Sequence, residues 1–383
     1  MVLSICFIVG IEVTFSMPSL SSPNLNMRAV AQKAGVSAAT VSRVINGYSW
    51  VKKETAERVQ KVLDELNFTP NPIATALKYG RSTTYGLIVP DLTNPFFPEF
   101  LLRFEELLIE NNYEILVATT QGNSEKLNLS VRRMLTRSVD GVVLMPSEFE
   151  TRSIEMLLNH RIPFVTLDRR LAQKNNADVS IDYEHGFQQA ILYLKDLGHR
   201  KIGFISGVSG MRSSKLREDA FKKAIEHAGL RYDPLMMQYG DFIATGGHTA
   251  MSSLLKMGNR PTAVLTANDL MAFGALQALH ESNLRVPDDF SVIGCDGISL
   301  GAATAPPLTT IAVSQAELAQ ACLSALQHAK DHAGARGAAR RVACTLLVRG
   351  STAAPPKAVK RVTKTKSPST PQKKVTTARP TRK

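Results

Sequence analysis

No stretch of this chain is apolar for long enough to cross a membrane. Glu12 and the Ser/Pro-rich run behind it interrupt the most continuous hydrophobic segment, at the front. Cysteine is scarce: Cys6, Cys295, Cys322 and Cys344 form no CxxC pair and no metal-ligand spacing. That argues against a disulfide framework and a metal site, and leaves single thiols in a reduced cytoplasm as the simplest reading. No GxxxxGK[ST] occurs, and neither GVSG nor GISLG opens a helix after the first strand as a dinucleotide loop would. His185 and His199 have no serine or carboxylate at triad-like positions, so a surface or structural role is expected for both. The chain is therefore read as a non-enzyme, with no catalytic residues, no metal and no cofactor. Acid is missing from the last stretch. Ten of the 46 Lys/Arg lie beyond Gly350 with no Asp/Glu among them, and the 36 before it exceed the 33 acids by only three. Most of the formal charge of +13 thus belongs to the tail.

What is present is enough for two or three domains in 383 residues. Residues 1–25 carry VLSICFIVG, which is like a signal-peptide core but lacks a basic start and an A-x-A cleavage site. They are read as a disordered extension, or as the product of a start codon upstream of Met17 or Met27. Residues 26–70 open with MRAVAQKAGVSAATVSRVING. A short helix carries Met27, Val30, Ala31 and Ala34 at helical spacing, Gly35 breaks it, and Ser37 stands where an N-cap belongs. A second helix from Ala38 to Asn46 is expected to bury Val41, Val44 and Ile45 and to show Thr40, Ser42, Arg43 and Asn46. Two short helices about a glycine turn make a helix-turn-helix, whose second helix fits the DNA major groove; two core helices of an ordinary bundle are the alternative. A third helix, Lys53 to about Asn67, carries Val59, Val62, Leu63 and Leu66 as a closing stripe. Pro72 and Gly80 then bracket a helix too short to stand alone in water, within a hinge spanning residues 71–83.

From 84 to 350, nine short apolar runs alternate with amphipathic helices such as Glu99 to Asn111, Ser124 to Arg137 and Ser314 to Asp331. Near-continuous apolar strands between helices mean parallel sheets covered on both faces, and their number suits two doubly wound lobes. Chain crossings between lobes are expected near Asp182, Val313 and Arg341. Ligands of such sheets bind outside the carboxyl ends of the strands. There the first lobe offers Asp91, Asn94, Phe96, Ser147, Asp168 and Arg169, and the second Arg217, Phe221, Asn268 and Asp296. Residues 351–383 are Pro-, Thr- and Lys-rich without apolar periodicity. They read as a disordered basic tail, attracting phosphate backbones or merely keeping the chain in solution.

From Met27 to Gly350 the chain resembles the lactose-repressor family of bacterial transcription regulators. The resemblance rests on VAQKAGVSAATVSRVING, ELNFTPNPIATALK, GLIVPDLTNPFF, VDGVVLMPS, PFVTLDRR, LGHRKIGFISG, AVLTANDLMAFGALQAL, VPDDFSVIGCDGI and PPLTTI, in the family's order. It implies an all-α helix-turn-helix domain and hinge helix, then an α/β core of two lobes like the type I periplasmic binding proteins. It also implies a cytoplasmic homodimer, with no membrane association, on a pseudo-palindromic operator. In such a dimer positions 38, 39 and 43 face base edges. Arg43 suits a guanine, and Ala38 and Ala39 offer methyl contacts. Ser37, Thr40, Ser42 and Asn46 suit phosphates, and Met27 and Arg28 approach from the first helix. By the same resemblance Leu77, flanked by Ala74 and Lys78, wedges into the minor groove from a hinge helix that folds only when paired on DNA. The alternative is that Leu77 packs on its own domain.

The resemblance further implies that Arg217 and Asp296 fork onto vicinal hydroxyls of a sugar-like effector, since each presents two hydrogen-bonding atoms in one plane. A lobe-closing ion pair is the rival role for these two. Asn268 reads equally as a helix cap, Asp168 and Arg169 as a pair with each other or with the interlobe hinge, and Phe96 and Phe97 as core. Ala29, Thr75, Lys52 and Ala220 depart from the family pattern, and Cys295 replaces a common aromatic beside Asp296. The expected function is effector-controlled repression of transcription; a sugar-transport binding protein sharing the two-lobed core is the alternative.

Overall fold

The computed structural model describes residues 26–45, 47–48, 50–68, 82–145, 151–169, 176–332 and 339–356. Two compact units divide at Thr83–Thr84. In the first, α1 (Met27–Ala34), α2 (Ala38–Ile45) and α3 (Lys53–Glu65) close over Val30, Ala31, Ala34, Val41, Val59, Val62 and Leu63. Each short helix is bounded by a local device. The Asn26 side chain accepts from the Arg28 and Ala29 amides, and Gly35 ends α1 at φ +65°. Ser37 Oγ accepts from the Thr40 amide at 3.1 Å, the expected cap of α2. Lys52 gives α3 no side-chain cap.

One assignment within α2 is corrected. Ser42 is buried, at 7% exposure, while Val44 and Ile45 are only half-buried. The inward stripe runs through 38, 41, 42 and 45, the i, i+3, i+4, i+7 face, and a serine is small enough to sit against the neighbouring helices. The outward face is left to Ala39 and Arg43.

The second unit begins with a lobe of β1 (Thr84–Val89), α4 (Phe96–Glu110), β2 (Glu114–Thr119), α5 (Ser124–Thr136), β3 (Gly141–Leu144), α6 (Thr151–Asn159), β4 (Phe164–Leu167) and β5 (Asn176–Asp182). Its strands are parallel in the order β2-β1-β3-β4-β5. The chain then crosses into α7 (Tyr183–Asp196), β6 (Ile202–Ser206), α8 (Arg212–His227), β7 (Met237–Tyr239), α9 (Ala244–Leu255), β8 (Ala263–Thr266), α10 (Asp269–Glu281), β9 (Ser291–Asp296) and β10 (Thr309–Val313). These strands run parallel in the mirror arrangement β10-β9-β8-β6-β7. Order reverses between β1 and β3 in one lobe and between β6 and β8 in the other, and a crevice opens beyond the strand ends at such points.

The lobes are tied by returns of the chain. After Val313, α11 (Gln315–Asp331) goes back to pack on α4 and β5. β11 (Ala339–Leu347) then pairs parallel with β5 through Ala343 and antiparallel with β10 from Cys344 onward. The crossings thus fall after Asp182, after Val313 and inside β11, where the sequence places them. β7 and β11 are strands beyond the nine apolar runs. The body also continues past Gly350: Ser351 is fully buried, its Oγ donating to the Val292 carbonyl at 2.6 Å. The Ala353 carbonyl accepts from Ser291 Oγ at 3.1 Å and lies 2.9 Å from His199 Nε2. These bonds place the start of the tail several residues later than composition alone suggested.

Packing fixes the second lobe's shape. Phe204 stacks on Phe221 at 4.8 Å, and fully burying a ring of this size contributes roughly 1.5–3 kcal/mol. α9 and α10 cross so closely that a Cβ on Gly274 would lie 1.8 Å from the Ala244 carbonyl oxygen, so glycine is required there. The two helices begin just after Phe242 and at the Asn268 cap.

Candidate functional site

On the first unit, Arg28, Ser37, Ala39 and Arg43 are exposed, and Met27, Ala38 and Thr40 are half-buried. Met27 and Ala38 rest against the small core, which limits what they can offer outward. Ser37 and Thr40 hydroxyls pair at 2.9 Å, so their first task is to hold the start of α2. Arg43, in the last turn, lays its guanidinium 4.4 Å from the ring centre of Trp50. A cation above an indole face keeps its edge donors free. Asn46 and the hinge residues Ala74, Leu77 and Lys78 lie outside the described residues.

On the second unit, the two lobes enclose a cleft of about 440 Å³ at the strand ends, within the range usual for small-molecule sites. Asp91, Asn94, Phe96, Phe97, Asp168 and Arg169 line it from the first lobe, and Arg217, Asn268 and Asp296 from the second. Arg217 Nη2 lies 3.6 Å from Asp296 Oδ1, with the two residues 9% and 4% exposed. Both belong to the second lobe, so this pair does not close one lobe on the other. Arg217 Nη1 donates to the Ser213 carbonyl at 3.1 Å, and its plane lies over Tyr183, 4.3 Å from the ring centre. Its buried Nε has no hydrogen-bond partner among the described residues. A buried guanidinium donor left unmatched is costly unless a ligand accepts from it.

Contacts between lobes ring this centre. The Asn94 side chain approaches Asp296 and favours its carboxylate form, and Arg212 donates through Nε and Nη2 to the carbonyls of Asp168 and Arg169 at 2.8 and 3.1 Å. Beside the cleft, Glu99 Oε1 accepts from the Ser299 amide and hydroxyl at 2.9 and 2.6 Å. Asp168 accepts from the Ile181 amide at 2.8 Å, which anchors it at the crossing into the second lobe. Three lining residues other than glycine hold positive φ: Asp168 at 60°, Phe242 at 68° and Asp296 at 120°. Strain of this kind collects where a site is built.

Burial sets the charge of the acids. It pushes the Asp296 carboxyl up to about 7, against the opposing pull of Arg217 and of the Asn94 side chain. Burial likewise raises Asp168 to about 6, opposed by the Ile181 amide and by Arg217. Behind the cleft, burial and the nearby Asp296 raise Asp269 to about 8, while Thr310 Oγ1 donates to it at 2.6 Å and the Ile298 amide at 2.9 Å. The site therefore titrates near neutrality, with Arg217 as its fixed positive charge.

Most of the residues singled out from the sequence converge here, with exceptions that have physical causes. Phe221 is a correction: it does not line the cleft, because one turn beyond Arg217 on the same face of α8 it lies farther from the strand ends, where it stacks on Phe204. Asn268 lines the cleft while serving as a cap, its Oδ1 accepting from the Met271 amide at 3.0 Å and its Nδ2 donating to the Phe242 carbonyl at 2.8 Å. Phe96 is both core and wall, 6% exposed and edge-on to Phe97 at 5.4 Å. Ser147 lies outside the described residues. Sequence reasoning missed Tyr183, Arg212, Asp241 and Phe242. Phe242 supplies a ring 5.9 Å from the Arg217 guanidinium, an aromatic wall where Cys295, fully buried, gives none. Among the described residues no group of three His, Cys, Asp or Glu is placed to hold a metal, and no helix is long and apolar enough to cross a membrane.

Residues 26–71 match the family described as bacterial regulatory proteins, lacI family, and residues 191–352 match a periplasmic binding protein-like domain. The HTH-type transcriptional repressor PurR of Pasteurella multocida is 36% identical over 293 residues, covering 76% of this chain and 87% of that protein. The ribose operon repressor of Haemophilus influenzae is 35% identical over 302 residues, covering 78% and 90%. Among solved structures, the lac repressor dimer bound to operator and an anti-inducer superposes with a TM-score of 0.77 at 28% identity, over 86% of this chain and 99% of that one. An Enterococcus faecium lacI-family regulator with bound ribose gives 0.64 at 29% identity, over 71% and 99%.

Proposed function

The chain belongs to the lacI family of bacterial regulatory proteins, and on that premise we propose that it is a cytoplasmic, dimeric repressor, not an enzyme, whose grip on operator DNA is set by a small molecule in the interlobe cleft. α2 of each subunit enters the major groove of one half-site, with Ala39 and Arg43 toward base edges and Arg28 and Ser37 toward phosphates. The hinge helices, with Leu77 as the apolar wedge, take the centre of a pseudo-palindromic site in the minor groove. The ten Lys/Arg beyond Gly350 add basic charge that can attract phosphate backbones.

The observation that carries the reading is a helix-turn-helix and a two-sided polar cleft in one chain. A transport binding protein would have no use for the first. The effector that suits the cleft is polyhydroxylated, a sugar or sugar derivative. Asp296 takes a pair of hydroxyl hydrogens, the free Nε of Arg217 donates to a ligand oxygen, and Phe242 and Phe97 offer apolar faces for ring C–H groups. The lobes exchange contacts at Asn94–Asp296, Asp168–Arg212 and Glu99–Ser299, so a ligand that favours one lobe angle shifts the population of DNA-competent dimers. Linkage permits either sign, release or co-repression.

The test is an operator-shift titration at two salt concentrations, on DNA from upstream of the protein's own gene, with ribose, lactose, cellobiose, sugar acids and nucleobases added in turn. A sugar or sugar acid of the panel should change the midpoint at both salt concentrations, and a shift by a nucleobase alone would contradict the sugar assignment. A midpoint that none of them moves would contradict the cleft's assignment to sugar-like effectors.

A further inference from the structure

Trp50 is the chain's one tryptophan, and it stands 63% exposed on the first unit beside Tyr48, itself 45% exposed. Their rings lie 5.8 Å apart at 52°. The backbone brings them there by design of the turn. Gly47, at φ +67°, ends α2 and lets the Tyr48 amide return to the Arg43 carbonyl at 3.1 Å, and the Val51 amide then bonds the Tyr48 carbonyl at 3.3 Å. This tight return folds the indole back alongside the last turn of α2. Two large aromatic side chains thus stand largely exposed on a unit whose buried core is small.

The indole's neighbour is Arg43, whose guanidinium carbon lies 4.4 Å from the indole centre. Among the described residues no carboxylate forms an ion pair with Arg43. The difference matters chemically. An acid would occupy the N–H edge that a base or phosphate needs, and would have to be displaced on binding. A ring face engages only the flat side of the cation, fixing its plane while leaving its edge donors free. Ordering a long side chain on complex formation costs free energy, and a cation already laid flat on a ring has lost that freedom beforehand.

We propose that Trp50, backed by Tyr48, is a positioning residue for DNA recognition: it holds Arg43 in the plane from which its edge meets a guanine. The proposal rests on the assignment of Arg43 to a base contact. It predicts that Trp50 acts through Arg43 and not as an independent phosphate-side contact.

The experiment uses the full-length protein and a duplex selected by it from a random-sequence pool, with an unrelated duplex as the nonspecific reference. Arg43→Ala, Trp50→Leu, Trp50→Phe and the double variant Arg43→Ala/Trp50→Leu are compared, with circular dichroism melts confirming the fold of each. Trp50→Leu should weaken the selected duplex about two- to fivefold, the range of an exposed cation–ring contact, with nonspecific binding and the salt slope unchanged. Trp50→Phe should recover most of the loss, and in the Arg43→Ala background Trp50→Leu should add nothing. Full additivity in the double variant, or an equal loss on both duplexes, would overturn the positioning role. If Arg43→Ala itself weakens both duplexes equally, it is the base contact that fails. Quenching of Trp50 emission by the selected duplex in the parent protein, reduced in Arg43→Lys, is the independent readout.

Discussion

At the scale of single residues, the cleft is governed by carboxyls that burial keeps from ionising easily. Asp296 sits at about 7 because burial outweighs the attraction of Arg217 at 3.6 Å. A sugar hydroxyl that donates to this group prefers the carboxylate, so binding lowers its pKa and releases a proton wherever the free protein holds one. Effector affinity is therefore full above about pH 7 and falls as the pH drops below it, approaching about tenfold per unit. Asp168, at about 6, steepens the fall at lower pH if the ligand also reaches it. Calorimetry between pH 8 and pH 6, in two buffers of different ionisation heat, checks this. Equal affinities at the two limits with no proton release would contradict it. Asp168 and Asp296 were legible in the sequence because charged residues at the carboxyl ends of apolar strands have few reasons to be there, whereas Arg217, inside α8, was reached through the family resemblance. Tyr183 and Phe242 were not. Phe242 follows β7, a strand too short and too polar to be recognised, and its position depends on a positive φ and on the amide of Asn268. Phe221 misled because it shares the face of α8 with Arg217 but stands one turn farther from the strand ends, where the ring meets Phe204 and not the cleft.

At the scale of elements, the first unit depends on its ends. α1 and α2 are eight residues each, too short to persist in water without caps and a shared core. Ser37→Ala should cost about 1 kcal/mol of first-unit stability by freeing the Thr40 amide, and Lys52→Ser should add a similar amount by capping α3, which has no side-chain cap. Urea unfolding followed by Trp50 emission reports on this unit selectively, because no other tryptophan exists in the chain. Unmoved midpoints for both variants would show that the caps contribute nothing. The caps and the glycine turn were readable from residue type, whereas the burial of Ser42 was not. A polar residue on an inward stripe is recognised only when the helix phase is fixed by its neighbours. β11 escaped notice for a comparable reason. Most of its residues are exposed, with only Val342 and Cys344 buried, and it exists because it pairs with β5 and β10, strands of two different lobes.

At the scale of the whole molecule, the lobes share three chain crossings and a few polar contacts around one cleft, with Arg217 and Asp296 on one side and Asn94 and Asp168 on the other. A hinge of this kind has few contacts to rearrange, so a ligand of ordinary affinity can select its angle. The two-lobed architecture was legible from alternating apolar runs and helices, and the crossings from where those runs change partners. The extent of the body past Gly350 was not, since Ser351 and Ala353 are held by hydrogen bonds that composition does not record. The most direct test of the account is the coupling itself: operator affinity with and without the effector identified by titration, in the parent protein and in Asp296→Asn. The parent ratio should differ from one by about fivefold or more, in either direction, and should collapse toward one in the variant at the same ligand concentration. A ratio that survives the substitution intact would show that the cleft does not control DNA binding.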